Sequence, residues 1–398
     1  MQRPSTIAEA NQELLRRYRE IRRRTLELAQ PLSAEDQGLQ SMPDASPTKW
    51  HLAHTAWFFD AMVLESRVLS GPRFARFGEL FNSYYESLGQ RHPRPQRGML
   101  SRPSLAEVLE YRQAVDAAMQ TLIGEMRAGS GTSPHEAIEL GLQHEQQHQE
   151  LLLTDILHAM SLNPLRPVVI DAPAPCVPAA PPGWEAHGGG IVQIGHTGQG
   201  FAFDNEGPAH RVFLQPYALS RRLVTNADVQ AFIEAGGYRD PHWWLSDGWA
   251  TVQAQGWQRP LYWTDDGREF TLHGMRSRED DQPARHLSFY EAAAYALWAG
   301  ARLPTEFEWE AAVARSPSLP QAFGVGWQWT RSSYDPYPRY RVPQGAVGEY
   351  NGKFMVGQLV LRGSSEATPA GHARTTYRNF FPPPARWQFT CIRLARDP

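Results

Sequence analysis

The sequence predicts a two-domain protein, an all-α four-helix bundle followed by an α+β domain with few regular elements. Three observations predict this. The chain has 398 residues, more than one hydrophobic core usually serves. Residues from about 6 to 163 carry apolar side chains at helical spacing among many charged ones. Past a proline-rich stretch holding Pro164, Pro167, Pro173, Pro175, Pro178, Pro181 and Pro182, the apolar segments shorten and glycines punctuate them. Most of the 13 tryptophans also lie beyond residue 240, so the two halves are built differently. The expected boundaries are 1–165 for the bundle, 166–185 for a proline-rich linker that cannot be helical, and 186–398 for the second domain.

Within the bundle, Ile7 to Leu28 reads as a first helix. A second is expected from Trp50 to Leu69, after Pro43 and Ser46-Pro47, with Ser46 or Thr48 as its cap. Ser104 is placed to cap a third helix reaching about Met126. A fourth runs from about Ser133-Pro134 to Met160, with the proline tolerated in its first turn. Four amphipathic segments joined by loops make a bundle. The second half shows short strands at Ile191–Ile194 and Arg211–Leu214. Two helices are expected there, Asn226–Ala235 and Ser288–Ala299, ahead of a loop-heavy tail.

Composition excludes several classes. Hydrophobic residues make up 41% and charged residues 20%, as in ordinary soluble domains. A net charge of −3 gives no reason to expect nucleic acid or an anionic membrane as partner. No apolar run approaches the roughly 18–20 residues that span a bilayer. The N-terminus is basic but lacks an apolar core and a cleavage site, so it reads as a helix and not as a signal peptide. Only Cys176 and Cys391 are present, which offers no disulfide framework and fits a reducing cytoplasm.

The strongest chemical signal is His144-Glu-Gln-Gln-His148-Gln-Glu150. Residues four apart share a helix face, so both imidazoles can reach one ion. A third ligand must come from another helix, and the second helix offers His51-Leu-Ala-His54. His54 is the first choice and His51 the reserve. Glu150 is a candidate to orient one of the ligands. Three neutral imidazoles leave coordination positions open for substrate and O2 on an Fe(II)-like ion, and zinc uses the same set for hydrolysis. Spacing does not choose between them.

Several stretches together resemble the ergothioneine-type sulfoxide synthases. In the first half these are Ser46-Pro-Thr-Lys-Trp50-His-Leu-Ala-His54-Thr, Leu80-Phe-Asn-Ser-Tyr84-Tyr85-Glu, Arg91-His-Pro-Arg94-Pro and the His144–Glu150 motif. In the second half they are Asp204-Asn-Glu206-Gly-Pro208, Val224-Thr225-Asn226, Gly236-Gly237-Tyr238, Arg302-Leu-Pro-Thr305-Glu306-Phe-Glu-Trp309-Glu310 and Tyr377-Arg378-Asn379-Phe380-Phe381. The resemblance implies a DinB-like bundle followed by a C-type-lectin-like α+β domain similar to formylglycine-generating enzymes. It implies Fe(II) on His54, His144 and His148. The substrate would be hercynine, whose imidazole C2 becomes bonded to a chalcogen donor in a reaction driven by O2. Gln147 matches a glutamine that touches the bound imidazole, and Tyr84 and Tyr85 match tyrosines that deliver a proton or hydrogen atom. A phenol suits that step because it donates yet stays neutral at pH 7. Aromatic side chains such as Phe380 and Phe381 suit a trimethylammonium head.

The donor is left open between sulfur and selenium. Arg91 and Arg94 are candidates to clamp a carboxylate. Where the γ-glutamylcysteine branch of the family has a Trp-Asp pair and an arginine, this chain has Phe380, Phe381 and Ala385, with Arg386 adjacent, which argues against that donor. Further departures are Gly324-Val-Gly-Trp327-Gln328-Trp329, without the acid that a calcium site there would need, and Arg362-Gly-Ser-Ser-Glu366-Ala-Thr-Pro369. The selenoneine synthases, a branch that takes a selenosugar, would want hydroxyl-binding groups such as Ser364, Ser365, Glu366 or Gln328. Competing expectations are a zinc-dependent DinB-type thiol transferase or hydrolase, and a non-catalytic lectin-like binding module. A formylglycine-generating oxidase would need a cysteine pair, and the second domain as bounded here holds only Cys391.

Overall fold

In the computed structural model, residues 7–126, 134–344, 348 and 350–398 are described, so Ser133, the expected start of the fourth bundle helix, lies outside them. The chain divides into two units, one ending at Val169 and one beginning at Ile170. The first holds α1 (Ile7–Ala29), α2 (Thr48–Met62), the short α3 (Phe77–Phe81), α4 (Leu105–Glu125) and α5 (Pro134–Leu162). The capping of α4 follows from its sequence. Ser104 Oγ accepts the Glu107 N–H, and the Glu107 carboxylate accepts the Ser104 N–H in return. Its buried face, Val108, Tyr111, Arg112, Val115, Met119 and Ile123, repeats every three or four residues.

Helix α2 departs from expectation at both ends. Its N-cap is Pro47, without a side-chain cap, because Ser46 is used otherwise. The Ser46 N–H donates to Asp155, and its hydroxyl accepts from Arg97. The helix stops at Met62 and does not reach Leu69. The Asp60 carboxylate accepts the N–H groups of Val68 and Leu69 at 3.1 and 2.8 Å, pulling the chain back through Glu65 and Ser66 at φ +53° and +58°.

A buried carboxylate binds the four long helices together. Glu145 of α5, fully buried, accepts from Arg22 of α1 at 2.9 Å, Arg112 of α4 at 3.0 Å and Thr25 at 2.7 Å. Arg112 also donates to the Leu52 carbonyl and the Thr55 hydroxyl of α2, both at 2.7 Å. Arg22 reaches Asp116, which in turn accepts from Tyr18. The two guanidiniums hold the Glu145 carboxyl down at about 2, against the upward push of burial.

The second unit contains β1 (Trp184–His187), β2 (Gly190–Ile194), β3 (His210–Leu214), β4 (Tyr217–Ser220), α6 (Asn226–Glu234), α7 (Ser246–Gln255), β5 (Arg268–Thr271), β6 (Gly274–Ser277), α8 (Phe289–Trp298), α9 (Glu306–Arg315), β7 (Trp327–Ser333), β8 (Leu359–Arg362), β9 (Asn379–Phe381), β10 (Thr390–Cys391) and β11 (Ala395–Arg396). Its largest sheet has the order β10-β7-β8-β9, parallel only between β10 and β7, and a second runs β1-β4-β11. Strands β2 and β3 pair antiparallel, as do β5 and β6. Helices α7 and α9 were not expected. In α7, Leu245 gives no capping signal and Gly248 and Trp249 dilute the pattern. In α9, Thr305 and Glu308 form a capping box that the sequence does display. Buried ion pairs tie α9 to the large sheet: Arg378 is bidentate on Glu306 at 2.8 and 2.9 Å, and Arg362 reaches Glu310 at 2.5 Å. The proline-rich stretch packs on this unit, with the Ile170 N–H on Leu272 O and the Val177 N–H on Gln282. No helix among the described residues is long and apolar enough to cross a membrane.

Glu145→Gln would leave two buried guanidiniums facing a neutral amide. It should destabilise the first unit by about 3–5 kcal/mol, the usual cost of breaking a buried pair. Urea unfolding of the variant measures this, and a loss below about 0.5 kcal/mol would show that the guanidiniums are satisfied without the charge.

Candidate metal centre

Three imidazoles converge inside the first unit. Ligand atoms of His54 on α2 and of His144 and His148 on α5 all lie within 4.8 Å of one another. His54 Nδ1 is 2.7 Å from the Phe81 carbonyl, which can only accept, so the ring carries its proton there and turns a lone pair inward at Nε2. That Nε2 stands 3.2 Å from His144 Nε2. Two nitrogens each about 2.1 Å from one ion, in neighbouring coordination positions, stand about 3.0–3.4 Å apart. The donor set therefore fits a divalent metal. Burial supplies the required protonation state. It depresses the basicity of all three rings, His144 to about 3, so each is the neutral, ligating form at pH 7. His148, at 9% exposure, is the most accessible of the three.

Aromatic rings hold these imidazoles in place. Trp50 stacks on one side of His54 at 4.5 Å and Trp57 on the other at 5.5 Å. The Arg97 guanidinium lies 3.4 Å from the far face of Trp50, extending the stack. Phe58 stacks on His144 at 4.2 Å. Trp50, His54, Trp57 and Phe58 follow i, i+4, i+7 and i+8 on α2, so the sequence carries a signal for this wall beyond its histidines. Behind His148 stands His51, whose Nδ1 is 2.8 Å from His148 Nδ1 and whose Nε2 is 3.1 Å from Asp155. Glu150 is two residues past His148, about 200° around the helix, and Nδ1 of His148 goes to His51 instead.

The other residues singled out by sequence fall in different surroundings. Gln147 is half-buried on α5, three residues after His144. Tyr85 is fully buried, 5.6 Å from Trp57 and 6.3 Å from Phe58, and Tyr84 stacks on it at 4.6 Å. Arg91 and Arg94 are exposed: Arg91 pairs with Glu86 and Arg94 donates to the Asp44 carbonyl. The buried arginine of that stretch is Arg97. In the second unit, Phe380 stacks on Tyr334 at 4.0 Å and Phe381 meets Trp387 at 6.3 Å. Gln328 is already saturated there. Its Oε1 accepts from Trp309 and Arg393, and its Nε2 donates to the Ala322 and Gln321 carbonyls, so it is a structural residue and not a sugar contact. Ser364 and Ser365 are buried in turn contacts, while Glu366 pairs with Arg285. Arg386 is bound to Glu291.

Comparison with known proteins agrees with this division. Residues 17–152 match the DinB superfamily model, and residues 186–321 match the sulfatase-modifying factor enzyme 1-like domain. A hercynine oxygenase from Mycolicibacterium thermoresistibile is 30% identical over 97% of this chain and 95% of its own length. Its counterpart from Mycolicibacterium smegmatis is 30% identical over 94% and 96%. The chain belongs to the hercynine oxygenase family. A formylglycine-generating enzyme from Streptomyces coelicolor is also similar, 32% identical over 31% of this chain. Burial pushes the Cys391 thiol up to about 12, Cys176 is exposed, and neither forms a disulfide.

In this member of the hercynine oxygenase family, the closeness of α2 and α5 at the centre depends on a missing side chain. A Cβ at Gly141 would come within 2.4 Å of the Phe59 ring, which is fully buried and edge-on to Tyr18 at 5.1 Å. Gly141→Ala should therefore destabilise the protein by about 1–3 kcal/mol through overpacking, although alanine is the better helix former. Thermal melts of the variant decide the sign, and a raised melting temperature would mean that the helices have room to part.

Proposed function

We propose that the chain is an O2-dependent oxidoreductase that holds Fe(II) through His54, His144 and His148 and bonds a sulfur or selenium donor to the imidazole C2 of hercynine. The observation that carries this reading is the convergence of ligand atoms of His54, His144 and His148 within 4.8 Å of one another, with the lone pair of His54 turned inward at Nε2, 3.2 Å from His144 Nε2. Near full-length similarity to proteins named hercynine oxygenase supports the substrate and the use of O2. Three neutral donors suit Fe(II) with open positions and suit zinc as well, so it is the family, and not the ligand set, that favours iron.

For a thiol donor the reaction balances with one O2. The C2–H and S–H bonds are lost and a C–S bond forms, the sulfur becomes a sulfoxide, and the second oxygen atom leaves as water with both protons. Bound Fe(II) supplies the one-electron chemistry that O2 requires. The protein's own part is to exclude water and manage protons. Trp50, Trp57 and Phe58 present carbon faces to the imidazoles. Tyr85 Oη, on a fully buried ring beside Trp57 and Phe58, is assigned the proton or hydrogen-atom step, with Tyr84 stacked upon it. Gln147 carries an amide able to pair with an imidazole nitrogen, and Arg91 and Arg94 carry guanidiniums suited to a carboxylate. Phe380 and Phe381 have ring faces of the kind a trimethylammonium group prefers.

The test is turnover by protein loaded with Fe(II) under anaerobic conditions, then given hercynine and O2 with cysteine, γ-glutamylcysteine or a selenosugar in parallel, with products read by mass. Hercynine should be consumed with at least one donor, and the donor that works names the branch. Tyr85→Phe should slow the reaction or divert it to oxidation of the donor alone. Hercynine left intact with every donor would contradict the reading, and unchanged products from Tyr84→Phe and Tyr85→Phe would remove the tyrosines from it.

A further inference from the structure

His51 and Asp155 are buried polar residues that the chemistry above leaves without a task. Both ring nitrogens of His51 are engaged, Nδ1 with His148 Nδ1 at 2.8 Å and Nε2 with Asp155 Oδ2 at 3.1 Å, so neither is open to an ion. The Asp155 oxygen is an acceptor, since it also takes the Ser46 N–H at 2.8 Å. It lies seven residues beyond His148, two turns along the same face of α5.

The proton inventory of this row has one consistent solution when His148 binds a metal. A ligating His148 needs its lone pair at Nε2, so its proton sits on Nδ1 and is donated to His51. His51 must then accept at Nδ1, which places its own proton on Nε2, donated to Asp155. Reversing the row would have His51 donate to His148 and put the proton of His148 on Nε2, where it blocks the metal. With His51 neutral, Asp155, as an acceptor, excludes that reversal.

We infer that His51 and Asp155 form a positioning dyad that fixes the tautomer and ring orientation of His148 and so makes its Nε2 the metal-binding nitrogen. The inference rests on the three-histidine site proposed above. Partners of this kind typically change metal affinity 10–100-fold when removed. The dyad has a built foundation. Ser46, whose N–H holds Asp155, also accepts Arg97 at its hydroxyl, and Arg97 backs the Trp50 that stacks on His54. Two of the three ligands are thus oriented from one corner of the bundle.

The experiment is Co(II) titration of the full chain, reading affinity by chelator competition and ligand geometry by the visible d–d spectrum at saturation. His51→Phe should bind Co(II) roughly 10–100-fold more weakly, with an altered spectrum at saturating metal. His51→Gln, whose amide oxygen can accept from His148, should return to within about threefold of wild type. Asp155→Asn keeps an oxygen for His51 and Ser46 and should resemble wild type, while Asp155→Ala should resemble His51→Phe. This second pair keeps the test open should His51→Phe not fold. Wild-type affinity and spectrum in His51→Phe, or equal effects of Asp155→Asn and Asp155→Ala, would overturn the dyad alone. A wild-type chain that takes up no Co(II) would remove the three-histidine site, and the dyad with it.

Discussion

Burying a carboxylate among helices costs several kcal/mol unless charged partners and hydrogen bonds replace its water. Glu145 meets that cost with Arg22 and Arg112, and in doing so it draws α1, α2, α4 and α5 to one point. The constraint reaches the three-histidine cluster through the backbone, because Glu145 follows His144 directly. Anchoring one side chain on the α1/α4 side of α5 fixes which way its neighbour points, and His144 is left facing α2. A buried carboxylate thereby sets the rotation of the helix that carries two of the three proposed ligands.

The centre is shaped by burial more than by charge. All three imidazoles are held neutral by loss of water, and their rings lie against Trp50, Trp57 and Phe58. Such a site favours metal over protons, because a cation gathers three lone pairs while a proton on any one ring must be buried with its charge. An ion bound there would also stabilise the fold, since the unfolded chain offers no comparable site. His51 and Asp155 extend the same logic outward by leaving His148 a single usable nitrogen.

Much of this was legible in the sequence where the relation is local. The i, i+4 spacing of His144 and His148, the Ser104 cap with its Glu107 partner, and the change of spacing past Pro164 all depend on residues close along the chain. The capping box at Thr305 and Glu308 is equally local, but it lies inside a motif whose resemblance says nothing of a helix start. Relations across long separations were not legible. The end of α2 at Met62 is set by Asp60 turning to backbone groups of a loop. Gln328 suits a sugar hydroxyl by residue type, but Arg393, 65 residues away, occupies its oxygen. Asp155 is an instructive intermediate case. Helical spacing puts it on the face of His148, but only the fold places His51 between them.

The most direct test of the central claim is the iron content of the chain after anaerobic loading and desalting, wild type against His148→Ala. The account predicts about one Fe(II) per wild-type chain and almost none in the variant, with the circular dichroism of the two unchanged, as expected when one of three ligands is removed. A variant that keeps as much iron as wild type, or a wild-type chain that retains none, would contradict the assignment of His54, His144 and His148 as the metal site.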